Sequence, residues 1–160
     1  MQDSFAQWLQ TIEASNIAAA IRQSTWLYPF LEIVHILGIV LVAGAAAMFD
    51  LLVLFYFRNG TIESPAFHLL TWSKRGLLIV VPSGILLFIT NAATLGFDPT
   101  FYLKLSLLAL AGLNAWVFHK RVFLRYVNHA GFNTGRAKWN AVFSLILWTA
   151  VISCGRLLAY

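Results

Sequence analysis

The stretch Ile36–Phe49, ILGIVLVAGAAAMF, contains no charged residue, and it decides the fold. His35 precedes it, Asp50 follows it, and the surrounding apolar segment runs from about Trp26 to Phe57. About 20 apolar residues in a helix cross the hydrocarbon layer of a bilayer. Strands of membrane barrels are shorter and alternate in polarity, and a helix satisfies its own backbone hydrogen bonds in lipid. We therefore predict a transmembrane helix, which is long enough to tilt.

Three further apolar segments predict three more spanning helices. The four helices are predicted at about residues 26–57, 76–97, 102–121 and 139–158. Composition agrees, because 60% of the 160 residues are hydrophobic and only 11% are charged, whereas a soluble domain is about 25% charged. A soluble domain of this size also has to expose much of its surface to water. The predicted fold is all-α: an integral membrane four-helix bundle formed by residues 26–160.

Residues 1–25 have a different pattern from the rest of the chain. Phe5, Trp8, Leu9 and Ile12 recur at helical spacing with polar residues between them. This pattern predicts an amphipathic helix that lies on the membrane surface. Ser15 or Asn16 is expected to end this helix and to cap a second short helix, which ends near Arg22. An early acidic residue and the lack of a continuous apolar core argue against a signal peptide.

The distribution of positive charge predicts the orientation. Eight of the eleven Lys and Arg residues lie in two connections, 58–75 and 119–140, which a four-span chain places on one side. Positive loops face the cytoplasm, so both termini are expected in the periplasm of a bacterial inner membrane. The net charge is +5, but the positive residues flank apolar segments. We therefore do not expect a nucleic acid partner. The single cysteine, Cys154, excludes an internal disulfide.

Ionisable and polar residues inside the predicted spans are costly in lipid and are therefore candidates for function. The rise per residue of each predicted helix gives the depth of these residues in the membrane, and by depth they fall into two layers. The residues expected in the outer half of the membrane are Glu32, His35, Asn91, Lys104, Cys154 and Arg156, those expected in the inner half are Met48, Asp50, Trp72 and His119, and Asn114 falls between. For some of these residues a structural role is the alternative. The side chain of Lys104 can extend to the lipid headgroups, and Glu32 can form an ion pair with Arg156.

Three stretches of the chain resemble a known family. They are Ser24–Gly38, STWLYPFLEIVHILG; Lys104–His119, KLSLLALAGLNAWVFH; and the ending Gly155–Tyr160, GRLLAY. Together they resemble an uncharacterised family of small bacterial four-helix membrane proteins. More remotely, the chain is similar to b561-type cytochromes and to copper-resistance D-type membrane proteins.

The remote similarity implies haem b or copper as a cofactor. A haem with two histidine ligands needs both at one depth on facing helices. His35 and His119 lie in opposite layers, so His68 or Met48 is the alternative partner of His119. For copper, thiolate and imidazole are suitable ligands, and the candidate ligands are Glu32, His35 and Cys154.

The sequence is compatible with two functions. One is a membrane redox or metal-handling protein. The other is a non-enzymatic subunit of a membrane complex, or a small transporter-like module with a polar intramembrane path. The sequence contains no phosphate-binding loop, H-E-x-x-H or C-x-x-C motif, so an enzyme acting on a soluble substrate is not expected. The expected partners are the lipid bilayer and a membrane or periplasmic protein.

Overall fold

A computed structural model describes residues 2–55, 63–118, 120 and 134–158, although the side chains of residues 2, 3, 63–67, 70 and 134 are not described. All regular structure in these ranges is helical, as predicted. The helices are α1 (Gln2–Glu13), α2 (Asn16–Gln23), α3 (Leu27–Phe55), α4 (Glu63–Thr90), α5 (Ala92–Leu95), α6 (Pro99–Phe118) and α7 (Thr134–Leu157).

Four of these helices are long and apolar enough to cross a membrane, which agrees with the predicted number. The qualifying segments are Leu27–Phe55, Thr71–Thr90, Pro99–Phe118 and Gly135–Leu157. The second helix differs from its predicted bounds of 76–97, because α4 begins at Glu63 and ends at Thr90. Its first turns are polar, so hydropathy alone does not reveal them. We call the end of the molecule with α1, α2 and α5 the N-terminal side, and the opposite end the far side.

Glycines let α3 and α4 approach until their backbones touch. A Cβ atom at Gly38 of α3 would lie 2.9 Å from the backbone nitrogen of Val80 on α4. A Cβ atom at Gly76 of α4 would lie 2.8 Å from Leu41 Cβ and 3.0 Å from the backbone nitrogen of Val42. Small residues at such crossings favour association of helices in lipid, where the hydrophobic effect between helices is weak.

The long helices are arranged in the order α4, α3, α7, α6. Helix α3 packs extensively against both α4 and α7, whereas α6 packs extensively only against α7 among the described helices. The buried stripe of α6 recurs every three or four residues and consists of Lys104, Leu107, Ala111, Asn114 and Phe118, of which Ala111 is fully buried. Helix α6 is therefore the least enclosed of the four.

Two other glycines of the long helices, Gly44 and Gly112, do not contact a neighbouring helix among the described residues. Nothing lies within 4 Å of a Cβ atom built at Gly44 of α3 or at Gly112 of α6. Both glycines are exposed. Within the described residues, the close approach at Gly38 is therefore not repeated at these two glycines, because the rotation of each helix turns them away from its neighbours.

The N-terminal helices α1 and α2 are attached to the long helices through buried contacts. Ser15 caps α2 by accepting a hydrogen bond from the backbone N–H of Ala18 at 3.4 Å, as its sequence position predicts. Leu9 is 1% exposed and lies directly against Gly96, where any side chain would collide with it. Residues 2–23 are therefore fixed on the end of the molecule where α4, α5 and α6 meet.

Candidate functional site

His35 of α3 is held against α4 by a serine. Its Nδ1 atom lies 3.0 Å from Ser83 Oγ, and Ser83 is 3% exposed. The Ser83 hydroxyl donates its single proton to the backbone oxygen of Ile79 at 2.7 Å. With the hydroxyl proton directed to Ile79, Ser83 Oγ accepts a hydrogen bond from His35, and this arrangement places a proton on Nδ1. The ring also forms a hydrogen bond with the backbone of Val80.

A glycine makes room for the His35 ring beside Ser83. A Cβ atom at Gly84 would lie 3.0 Å from His35 Cε1 and 3.5 Å from Nδ1. The imidazole therefore lies directly over the backbone of α4, and its position is fixed by both packing and hydrogen bonding.

Lys104 of α6 is turned towards the protein rather than away from it. The side chain is half-buried, and its Nζ atom lies 3.8 Å from the position that a Cβ atom on Gly155 of α7 would occupy. Its ammonium group interacts electrostatically with His35 and with the buried Cys154. The structure thus brings His35, Lys104 and Cys154 to one level on the N-terminal side, and we call these three residues with Ser83 the outer cluster.

Glu32 does not join this cluster as a metal ligand. Its side chain is exposed and interacts with the hydroxyl of Tyr28, one helical turn earlier. Among the described residues, no three His, Cys, Asp or Glu side chains are placed to hold one metal ion. The proposed copper ligands Glu32, His35 and Cys154 are therefore not assembled into such a group.

The described histidines do not form a haem site either. His68 is exposed near the beginning of α4, whereas His35 contacts Ser83, which is 15 residues further along this helix. At a rise of 1.5 Å per residue this separation is about 22 Å, which is too long for one iron to bridge. His119 lies outside the described residues. The described histidines therefore do not fit a haem with two histidine ligands.

Asn91 has a different position from the one predicted for it. It is not inside the second spanning helix but at the break between α4 and α5. Its side-chain amide donates to Tyr28 Oη at 3.4 Å and to Thr90 Oγ1 at 3.3 Å. Tyr28 in turn interacts with Glu32, so these four residues link the first turns of α3 to the end of α4.

An ion pair that sequence analysis did not identify completes the N-terminal side. Arg22 donates to the backbone oxygens of Thr90 at 2.9 Å and Glu13 at 2.6 Å, and it lies 3.8 Å from the Glu13 carboxylate. Glu13 Oε2 accepts a hydrogen bond from the backbone N–H of Ala93 at 2.8 Å. The two charges therefore fasten α1 and α2 to the junction of α4 and α5. Arg156, the remaining predicted polar residue of this half, is exposed in the last turn of α7.

Asp50 carries the buried carboxyl group of the described apolar helices. It is 6% exposed, and Ser144 of α7 forms a hydrogen bond with its carboxyl group. Among the described residues, none forms a hydrogen bond with its Oδ2 atom. One turn further along α3, Val53 packs with Ala137 and Ala141 of α7, so the surroundings are apolar.

A pair of amides joins α6 to α7 on the same side of the molecule as Asp50. Asn140 Nδ2 donates to Asn114 Oδ1 at 3.2 Å, and Asn114 Nδ2 donates to the backbone oxygen of Asn140 at 3.3 Å. Asn114 was expected between the two layers, but its partner near the start of α7 places it on the far side. Its amide is thereby satisfied within the protein.

The polar groups named above thus lie at two levels of the described structure. The outer cluster occupies the N-terminal side, while Asp50, Ser144 and the Asn114–Asn140 pair occupy the far side. Sequence analysis missed Ser83 and Ser144, the partners of the two central ionisable residues. The available signal was their presence as hydroxyl groups in otherwise apolar spans, a type of residue that commonly bonds across membrane helices.

Residues 7–160 match the model of the Family of unknown function (DUF6644). The chain belongs to this family. Its membership agrees with the resemblance to an uncharacterised family found in the sequence, and the match includes every residue of the two layers. No curated protein and no solved structure matches the chain significantly. The family description assigns no activity, so function has to be argued from the two layers themselves.

Proposed function

We propose that the protein is an integral membrane protein of the bacterial inner membrane and works as a small proton-dependent transport module, without enzymatic activity. In this proposal α3, α4, α6 and α7 cross the bilayer, and α1 and α2 lie at the periplasmic surface. The observation that supports the transport role is the carboxyl group of Asp50, which is 6% exposed and has one oxygen without a hydrogen-bond partner among the described residues.

Burial of a carboxyl group at the position of Asp50 costs free energy. A buried polar atom without a partner costs about 1–3 kcal/mol, and more if it is charged. Ionisable residues within spans are accordingly rare and mark proton and ion pathways. An apolar residue would pack beside Val53 without this cost. A group that binds and releases a proton explains why the cost is tolerated.

The depth of Asp50 suggests how it exchanges protons. It lies five residues before the end of α3, which is about 8 Å along the helix axis. The outer cluster is near the opposite end, and the buried residues of α3 between the two layers are apolar, including Gly38, Val42 and Ala45. Each layer is thus within reach of one membrane face, and an apolar barrier separates them, which suits a gated module better than an open channel.

Proton flux into liposomes tests the proposal. Purified protein is reconstituted with a pH-sensitive dye inside the vesicles, and a potassium gradient with valinomycin supplies the driving force. We expect wild type to raise proton entry at least tenfold over empty vesicles and Asp50→Asn to return it to background. Asparagine has nearly the same shape and retains hydrogen bonding to Ser144, so Asp50→Asn should fold.

The matched control removes a carboxylate outside the spans. Asp98 accepts a hydrogen bond from the backbone N–H of Thr100 at 2.7 Å, and asparagine serves equally well at this helix N-terminus. Asp98→Asn should therefore keep the wild-type flux. Equal flux in wild type and Asp50→Asn, or no flux above empty vesicles in wild type, would contradict the proposal.

The redox and metal-handling hypothesis is the second candidate, and the same preparation tests it. A Soret band in the absorption spectrum, or copper bound in stoichiometric amount, would favour this candidate over transport. The subunit hypothesis predicts a different result, namely stable co-purification with another membrane or periplasmic protein and no flux.

A further inference from the structure

Tryptophans lie at the far-side ends of three of the long helices. Trp72, Trp116 and Trp139 belong to α4, α6 and α7, and each lies within five residues of the far-side end of its apolar segment. Their rings are exposed, at 48%, 55% and 77%. Tryptophan is enriched where a span leaves the hydrocarbon layer, because its ring then lies at the level of the lipid headgroups. These rings are therefore placed as far-side membrane anchors.

Two of the three rings have a cationic side chain over them. The Cζ atom of Arg75 lies 5.3 Å from the centroid of the Trp72 ring, and the Nζ atom of Lys120 lies 4.6 Å from the centroid of the Trp116 ring. A cation within about 6 Å of a ring centroid is attracted to the negative face of the ring. All four side chains are exposed. We call them the two ring–cation pairs.

The two pairs bring their charges to the edge of the apolar segments from opposite directions. Arg75 lies inside its segment, four residues after Thr71, and its guanidinium group is directed back to Trp72, towards the far side. Lys120 lies two residues beyond the end of α6, and its ammonium group is directed back to Trp116, towards the segment. Hydration alone would draw the Lys120 charge away from the membrane. The rings thus place both charges at one kind of position.

Acidic residues are scarce on this side of the molecule. The chain has six acidic residues, and those in the far-side halves of α3 and α4 are Asp50 and Glu63. Asp50 is only 6% exposed. Among the described residues, no carboxylate forms an ion pair with Arg75 or Lys120. The N–H donors of both cations are therefore open to an anionic partner outside the described part of the chain.

We propose that the two ring–cation pairs bind the phosphate groups of anionic phospholipids in the far-side leaflet. The phosphates of this leaflet lie at the level of the rings, and a negative lipid surface attracts basic side chains that flank a span. Because the ring contact already restricts each cation, less side-chain freedom is lost when a phosphate binds. The proposal rests on the membrane insertion proposed above, but not on proton transport by Asp50.

Native mass spectrometry of the full chain in a neutral detergent tests the proposal. The protein is mixed with equal amounts of dioleoylphosphatidylglycerol and dioleoylphosphatidylcholine, and the bound lipids are counted by mass. Both lipids have a phosphate and the same acyl chains, so only the net charge of the headgroup differs. We expect wild type to bind phosphatidylglycerol at least about tenfold more often. The double variant Arg75→Gln/Lys120→Gln should bind the two lipids about equally.

A second double variant, Trp72→Leu/Trp116→Leu, separates the rings from the charge. It keeps every cation, yet it should reduce the preference for phosphatidylglycerol at least about threefold because the cations are no longer held in place. All the replaced side chains are exposed, so these variants should fold.

The matched control for charge is Lys74→Gln. Lys74 is exposed and adjacent to Arg75, but among the described residues no aromatic ring pairs with it. Lys74→Gln should therefore keep most of the preference. The proposal is overturned if wild type binds both lipids equally, if either double variant keeps the full preference, or if Lys74→Gln lowers it as far as Arg75→Gln/Lys120→Gln does.

Extraction of cell membranes with alkaline carbonate tests the insertion separately. Protein that stays in the membrane pellet but shows no lipid preference overturns the lipid proposal alone. Protein that carbonate releases overturns the insertion on which both proposals rest. We expect wild type and all variants to stay in the pellet.

Discussion

His35 and Asp50 lie in the same apolar helix, yet their polar atoms have different surroundings. The imidazole of His35 has a partner on α4, namely Ser83 at 3.0 Å. The carboxyl group of Asp50 interacts with Ser144 but keeps an unpaired Oδ2. The depth of both residues follows from counting helical turns. Their partners do not, because Ser83 is 48 residues away from His35 and the register between two helices depends on packing that the sequence of either helix leaves open.

The contact between His35 and Ser83 predicts which ring nitrogen of His35 carries the proton. Because the Ser83 hydroxyl is committed to the Ile79 carbonyl, the neutral imidazole should carry its proton on Nδ1. Replacing Ser83 with alanine removes the acceptor, so the population protonated on Nε2 should increase. Nitrogen-15 NMR of labelled histidine distinguishes the two forms. The same tautomer ratio in wild type and Ser83→Ala would show that Ser83 does not orient the ring.

Helices α3 and α4 are joined by an interlocking fit rather than by polar groups alone. Gly38 and Gly76 allow backbone contact between them, and the hydrogen bond between His35 and Ser83 lies closer to the N-terminal side. Hydropathy correctly predicted both as helices that are long and apolar enough to cross a membrane. It did not reveal which glycines make contact, since Gly38 and Gly44 lie in equally apolar surroundings in the sequence.

Alanine substitutions at Gly38 and Gly44 should have different effects on the free energy of unfolding. A Cβ atom at Gly38 would lie 2.9 Å from Val80, so Gly38→Ala should separate the helices and cost about 1–3 kcal/mol. Nothing lies within 4 Å of a Cβ atom at Gly44, so Gly44→Ala should be neutral or stabilise the helix by up to about 1 kcal/mol. Unfolding in mixed detergent and SDS measures both. A loss of stability in Gly44→Ala equal to that in Gly38→Ala would refute the fit described here.

The molecule as a whole has two chemically different ends. The N-terminal side carries the ion pair of Glu13 and Arg22 together with the outer cluster. The far side carries Asp50 and the paired amides of Asn114 and Asn140. Composition and charge distribution predict four spans, but they do not predict that α6 packs extensively only against α7 among the described helices, because apolar side chains are spread around the whole circumference of α6.

The four-span arrangement predicts that the two chain ends lie on the same side of the membrane. In a Cys154→Ala background, a cysteine introduced by Gln10→Cys should react with a membrane-impermeant maleimide in cells whose outer membrane is permeabilised. A cysteine introduced by Lys138→Cys should react only after the inner membrane is opened, because positive segments face the cytoplasm. Equal labelling of both positions before opening would contradict this orientation.

The position of α6 has a consequence for synthesis on the ribosome. Its one extensive partner among the described helices, α7, follows it in the chain, so a membrane-inserted α6 would precede the surface that it packs against. During this interval Lys104 and the amide of Asn114 would face lipid or the insertion machinery without their later neighbours. The chain would therefore be most accessible to quality-control proteases after α6 is synthesised and before the 24 residues of α7 pack against it.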